Sequence, residues 1–161
     1  MRIAILSDIH DRLDNLGRAL EKARECGALI FCGDLCAPFT LRELAGRFQG
    51  PVHAVLGNNA GDVLLHAQVA AQAGNVTLYG DYAELELAGR RIAVVHYPRL
   101  AEGLAALGDY DLVCCGHNHQ ANVERRGKTL LVNPGEVMEM YGRATCAIYD
   151  SEAGQAEIVE I

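Results

Sequence analysis

The sequence predicts an α/β fold of two packed sheets with helices on the outside, as one domain over residues 1–161. Three observations predict it. Short apolar runs alternate with helix-period segments through the first half, which argues for a parallel sheet. Beyond Val76 the chain becomes mostly strand-like, with turn residues between the runs. No linker rich in Pro, Gly or Ser separates the halves, and there is no internal repeat. A chain of ~150 residues buries about 70% of the surface that it exposes when unfolded, enough for one such core.

Taken in order, Arg2 to Ser7 is short, apolar and rich in isoleucine, which suits a strand buried on both faces. Leu13, Leu16, Leu20 and Ala23 then recur at three- and four-residue steps, so a helix follows, with Asp11 as its expected cap and Gly27 as its stop. Ala28 to Cys32 reads as a second buried strand, Thr40 to Phe48 as a short helix and Val52 to Leu56 as a third strand. Val63 to Gln72 is helical in composition and ends at Gly74. Strand-like segments follow at Val76 to Tyr79, Tyr82 to Leu87 and Arg91 to His96, with Ala88-Gly89 as a turn. A helix over Arg99 to Leu107 precedes a strand at Leu112 to Cys115. The remainder is β: Asn122 to Arg125, Thr129 to Asn133, Ala144 to Asp150 and Gln155 to Ile161.

With 14 basic against 21 acidic residues the formal charge is −7. An extended nucleic-acid surface is therefore not expected, because such binding rests on Lys and Arg neutralising phosphates. No apolar run approaches the ~18 residues of a membrane helix, and the N-terminus lacks the pattern of an export signal. The expectation is a cytoplasmic protein with no membrane partner. Its six cysteines are then expected to be reduced, small hydrophobes rather than disulfides. Cys32 and Cys36 lie close together, but no second pair completes a structural zinc site.

Side chains able to bind metal fall repeatedly at the C-terminal ends of the expected strands. Asp8-Ile9-His10 follows the first, Gly33-Asp34 the second and Gly57-Asn58-Asn59 the third. His96 ends the Arg91 strand, and Gly116-His117-Asn118-His119 follows Leu112 to Cys115. Ligands of open α/β sheets bind outside the carboxyl ends of the strands. Imidazole with carboxylate oxygen suits Mn, Fe, Ni or Zn. Each element alone is weak, since Asp-x-His is as readily a helix cap beside a surface histidine. Together, each at a strand end, they point to one rim. His53 inside a strand and His66 inside a helix fall outside the pattern and read as structural or exposed.

The series Asp8-x-His10, Gly33-Asp34, Gly57-Asn58, His96 and Gly116-His117-x-His119 resembles the calcineurin-like metallophosphoesterase superfamily, most of all its small single-domain prokaryotic phosphodiesterase branch. With Asn133-Pro134-Gly135 the motifs cover most of the chain. The resemblance implies a four-layer α/β/β/α sandwich of two mixed sheets. It also implies two divalent metal ions, Mn²⁺ first, with Ni²⁺, Fe²⁺, Zn²⁺ and Mg²⁺ as alternatives. Asp8, His10 and His119 would hold the first metal and Asn58, His96 and His117 the second, with Asp34 bridging. Asp34, Asn58 and His96 are also carried over as catalytic residues.

The activity implied by the resemblance is hydrolysis of a small phosphoester, a diester before a monoester, by in-line attack of a metal-bridging hydroxide. Two cations bring +4 and the two aspartates return −2, so the site keeps a positive field for an anion. Two metals ~3.5–4 Å apart stabilise both the attacking and the leaving oxygens. The retromer scaffold subunit also resembles this family, so a non-catalytic interaction module is the alternative from another class. The β-rich second half offers a surface for a homo-oligomer, and nothing in its pattern demands one.

The chain departs from the family pattern at three positions. Asn59 stands where many members carry a proton-donating histidine, and general acid help is typically worth ~10²–10⁴-fold. Tyr97 follows His96 where glycine is common, and Glu136 follows Gly135 where serine is common. Tyr97 and Glu136 read equally as pocket lining or solvated rim. The residues expected to meet substrate are Asn59, Asn118, Arg12 and Tyr97, with Arg99 and Tyr141 behind them.

Overall fold

Three strand–helix–strand steps open the chain in the computed structural model, which describes residues 1–161. Strand β1 (Arg2–Leu6) leads to helix α1 (Leu13–Ala23), β2 (Ala28–Phe31) to α2 (Pro38–Arg47), and β3 (Val52–Ala54) to α3 (Val63–Ala73) and β4 (Val76–Leu78). These four strands pair in parallel in the order β1-β2-β3-β4. The second half contributes β5 (Tyr82–Leu87), β6 (Arg90–Val95), α4 (Pro98–Leu107), β7 (Leu112–Cys114), β8 (Asn122–Arg126), β9 (Thr129–Asn133), β10 (Thr145–Asp150) and β11 (Gln155–Glu160). Strands β10 and β11 return to the first sheet, where β10 runs antiparallel to β1. The sheets therefore read β11-β10-β1-β2-β3-β4 and β5-β6-β7-β9-β8.

Side-chain alternation along β1 shows why a run of apolar residues is needed there. Ala4 and Leu6 join Leu16, Leu20, Leu41, Leu44 and Val69 in the core beneath α1, α2 and α3. Ile3 and Ile5 point the other way, into a core shared with Leu85, Ile92, Val94, Leu112 and Val132 of the second sheet. Both faces are buried, so neither register of alternation is free to be polar. On the far side, Ala101 and Ala105 of α4 pack on Ala93, Val95, Val113 and Leu131. The order of layers is thus helix, sheet, sheet, helix, as the family resemblance implies.

Element boundaries fall within two residues of those expected from the sequence. The capping of α1 is the exception. Its N-cap is Arg12, without a side-chain bond, and the helix ends at Ala23 rather than at Gly27. Asp11 instead reaches across to the start of α2, where its Oδ1 accepts the Ala37 N–H at 2.9 Å and the Thr40 hydroxyl at 2.5 Å. It satisfies one backbone donor and one hydroxyl at a helix N-terminus, but that of the next helix. All six cysteines are free. No helix is long and apolar enough to cross a membrane.

Candidate metal centre

The parallel strands β1, β2 and β3 end side by side, and so do the parallel strands β6 and β7 of the facing sheet. The segments leaving these ends carry Asp8 and His10, Asp34, Asn58, His96, and His117 with His119. The turns are tight enough to hold five of these residues in the left-handed region: Asp8, His10, Asp34, His117 and His119 have φ between 42° and 71°. Such angles are costly for residues other than Gly and persist where the surroundings enforce them. The enforcing contacts are hydrogen bonds between segments. Asp8 N–H donates to Gly33 O at 3.0 Å, Asp34 N–H to Leu56 O at 2.7 Å and Gly116 N–H to His96 O at 2.9 Å. Asp8 Oδ2 accepts the His117 N–H at 3.0 Å, which ties the two sheets together at this rim.

Two adjoining groups of side chains could each hold a cation. Asp8, His10 and His119 form one, and Asp8, Asp34 and His96 the other, with the ligand atoms of each within 4.8 Å of one another. Asp8 Oδ1 lies 3.5 Å from His119 Nε2 and 3.9 Å from His10 Nε2. Asp34 Oδ2 lies between the groups, 3.4 Å from His10 Nε2 and 3.5 Å from His96 Nε2. Asn58 Oδ1 adds a third oxygen, 3.0 Å from His96 Nε2. Asp8 Oδ1 and His10 Nε2 are buried with no hydrogen-bond partner. A buried polar atom left unpaired costs ~1–3 kcal/mol, and two of them converging on one point are what a cation satisfies. The residues present therefore fit a divalent metal.

Each imidazole is aimed by what holds its other nitrogen. His96 Nδ1 lies 2.7 Å from Cys32 O; a carbonyl only accepts, so Nδ1 donates and Nε2 keeps a lone pair for the cluster. His119 Nδ1 lies 2.6 Å from Glu136 Oε2, and His10 Nδ1 lies 3.4 Å from Cys36 Sγ. Burial alone would raise the Asp34 carboxyl, but the adjacent His96 ring and hydrogen bonds from the side chain and N–H of Asn59 hold it well below the usual range. His10 is raised, chiefly by the neighbouring Asp8 carboxylate, against burial that opposes the shift. For His96 burial lowers the value, yet the nearby Asp34 carboxylate and the Cys32 carbonyl together leave it raised.

These shifts set how the stability of the metal-free protein varies with pH. A histidine raised in the fold contributes stability that is fully present below its unfolded value of 6.5 and lost as pH rises through the folded value. Asp34, depressed in the fold, contributes stability present above its ordinary 3.8 and lost as pH falls through its lowered value. Chelator-treated protein should therefore lose Tm as pH climbs from just below 6.5 through the raised values of these two histidines. A Tm that rises across that window would contradict the shifts at His10 and His96.

The other expected site residues take varied places. His117 is exposed and outside both groups, its ring 5.0 Å from that of His96 and 4.9 Å from that of Tyr97. Tyr97 is exposed and lies edge-on to His96 at 5.2 Å. Asn59 is clamped to Asp34: its N–H reaches Oδ1 and its Nδ2 reaches Oδ2, both at 2.8 Å. Asn118 Oδ1 accepts from Asn133 Nδ2 at 2.8 Å and from Gln120 N–H at 3.1 Å. Arg12 is exposed, 3.5 Å from Asp14. Outside the cluster, His53 meets the Tyr79 hydroxyl at 2.9 Å and buried His66 meets Cys36 O at 3.2 Å. Glu136, read from sequence as lining or rim, is neither. It is 0% exposed beneath His119.

Residues 1–154 match the family model described as calcineurin-like phosphoesterase superfamily domain. The chain is 28% identical over 157 residues to the phosphodiesterase MJ0936 of Methanocaldococcus jannaschii, covering 94% of each. It is 29% identical over 155 residues to the phosphodiesterase YfcE of Escherichia coli K12, covering 85% of this chain and 79% of that one. The solved structure of an archaeal phosphodiesterase superposes with a TM-score of 0.92 at 26% identity over the whole of both chains. With its fold, its rim of Asp, Asn and His ligand types and a family match over nearly its full length, the chain belongs to the calcineurin-like phosphoesterase superfamily.

Proposed function

We propose that this phosphoesterase-family protein hydrolyses phosphodiesters at a centre of two divalent cations, with Mn²⁺ the first candidate. The observation that carries the reading is the pair of adjoining ligand groups sharing Asp8, with Asp8 Oδ1 and His10 Nε2 buried and unpaired between them. Asp8, His10 and His119 would hold one ion. Asp34, His96 and Asn58 would hold the other, with His117 closing on it from the exposed side and Asp34 shared. Ions held there would supply an activated water as nucleophile and neutralise charge on the phosphoryl oxygens.

The chain's own residues do the positioning. The carbonyl of Cys32 holds the His96 ring, and Asn59 fixes both oxygens of Asp34, so the ligands meet the substrate already oriented. Asp8 and Asp34 are the only anionic side chains in the two ligand groups, and two divalent ions outweigh them, which favours an anionic ester in an acidic protein. Asn59 has no proton to give and its amide is committed to Asp34. Nothing at that position assists departure of a poor leaving group, a deficit of ~10²–10⁴-fold.

The test is to strip metal with chelator, add back Mn²⁺, and follow an activated aryl phosphodiester, the matching monoester and an alkyl diester. Mn²⁺-dependent cleavage is expected, fastest for the aryl diester and slower by at least ~10²-fold for the alkyl one. Silence on all three with metal bound would sink the hydrolase reading. It would favour a protein-interaction module on the same scaffold, for which one observation speaks. Leu100, Leu104, Leu107, Tyr82 and Val95 line an apolar groove of about 530 Å³ along α4, with Leu107 65% exposed.

A further inference from the structure

Glu136 is a fully buried carboxylate whose two oxygens make different bonds. Oε1 accepts three backbone N–H groups, from Met140 at 3.0 Å, Tyr141 at 2.6 Å and Gly142 at 2.9 Å. Oε2 meets only His119 Nδ1, at 2.6 Å. The residue's own backbone is pinned by a bridge to Ala144 and by the Thr145 N–H on Glu136 O at 2.9 Å, so the carboxylate cannot drift. Tyr141, carried by the loop that Oε1 holds, packs edge-on to the His119 ring at 5.1 Å.

From this we propose that Glu136 is a positioning residue that keeps the His119 proton on Nδ1, leaving the Nε2 lone pair toward Asp8 and the metal, while the same carboxylate folds the Tyr141 loop over that ring. An ionised carboxylate offers only acceptors, so Nδ1 must be the donor, and a neutral imidazole then has its free lone pair on Nε2. Nε2 is the atom 3.5 Å from the unpaired Asp8 Oδ1. The inference rests on the reading of His119 as a metal ligand, and carboxylates behind ligating histidines typically tune affinity ~10–100-fold.

Two variants separate the two jobs. In Glu136→Gln the carbonyl oxygen can keep the three loop N–H groups, which leaves the amide NH₂ facing Nδ1. That donor moves the ring proton to Nε2, which can then satisfy Asp8 Oδ1 but not a metal. Glu136→Ala removes both functions. Imidazole ¹⁵N shifts of His119 are measured in chelated protein above the ordinary histidine range, together with Mn²⁺ titration calorimetry and amide exchange at residues 140 to 142.

Wild type should show Nδ1–H with Nε2 bare. Glu136→Gln should show the reverse, with Mn²⁺ affinity down ~10–100-fold and loop protection unchanged, whereas Glu136→Ala should also lose loop protection. A wild-type ring protonated on Nε2, or Glu136→Gln with unchanged tautomer and affinity, would overturn the inference. Weaker affinity with an unchanged tautomer would also overturn it, leaving only a charge effect. If wild type bound no Mn²⁺ the metal reading would fall, and the tautomer shifts would still decide the role of Glu136.

Discussion

Asp34→Asn should cost turnover on the order of 10³-fold or more and lower Mn²⁺ affinity with it. Loss of one preorganised electrostatic group from an active site already costs ~10²–10³-fold, and Asp34 does more than one thing. Its Oδ2 stands 3.4 Å from His10 Nε2 and 3.5 Å from His96 Nε2, so one oxygen lies within 3.5 Å of a ring from each group. Asn has a similar shape but one acceptor fewer. Whichever way its amide turns, an NH₂ meets either the Asn59 donors or the imidazole edge, so one 2.8 Å bond is replaced by two facing donors. The charge balance also shifts, since one anion fewer faces two dications. The check is kcat/KM on an aryl diester across a Mn²⁺ titration, beside calorimetric affinity. Activity within tenfold of wild type would show that Asp34 does not share the metals.

Particular residues explain why so much of the fold is legible in the sequence. In β1 the run Ile3-Ala4-Ile5-Leu6 must satisfy two cores at once, so it is apolar throughout and stands out. Leu13, Leu16 and Leu20 in α1 repeat because only one face of that helix meets the sheet. Ligand residues are legible for a related reason. Parallel strands deliver their C-terminal ends to a common edge, so polar residues directly after apolar runs are brought together by topology rather than by any local signal. Contacts made across the chain leave no such trace. Asp11 has the chemistry of a cap, but sequence adjacency suggests α1, whereas its partners Ala37 and Thr40 are 26 and 29 residues away.

Asn59 and Glu136 are obscure for the same reason. Asn59 stands out in sequence as a missing proton donor, while its two bonds to Asp34 span 25 residues and carry no periodic trace. Glu136 reads from sequence equally as pocket lining or solvated rim, and charged side chains are almost never fully buried unless paired. Its pairing with His119, 17 residues earlier, and with three N–H groups of a later loop exists only in the folded chain. The candidate ligands can be found by motif. The residues packed behind them cannot, because their partners are backbone atoms and distant side chains.

Gly57→Ala should be strongly damaging although it removes no functional group. Gly57 sits at φ 88°, where an L side chain is strained by roughly 1–2 kcal/mol. An added Cβ would also overlap Asp34 Oδ1, stand 2.8 Å from the Asp34 amide nitrogen and 3.1 Å from His96 Cγ. Neither neighbour is free to give way. Asp34 is fixed by its N–H on Leu56 O and by both donors of Asn59, and the His96 ring is fixed by Cys32 O. The loop after β3 must move instead, and it carries Asn58 and Asn59. Strain of ~1–2 kcal/mol and overpacking of ~1–3 kcal/mol together predict a Tm drop on the order of 10 °C. Mn²⁺ affinity should fall as well, although every candidate ligand side chain is still present. Gly103→Ala is the control, because Gly103 lies within α4 and an added Cβ there meets nothing within 4 Å. It should be neutral or stabilising by up to ~1 kcal/mol. Equal, small effects from the two substitutions would mean that the loop after β3 yields, and that the ligand geometry does not depend on the close approach of Gly57 to Asp34.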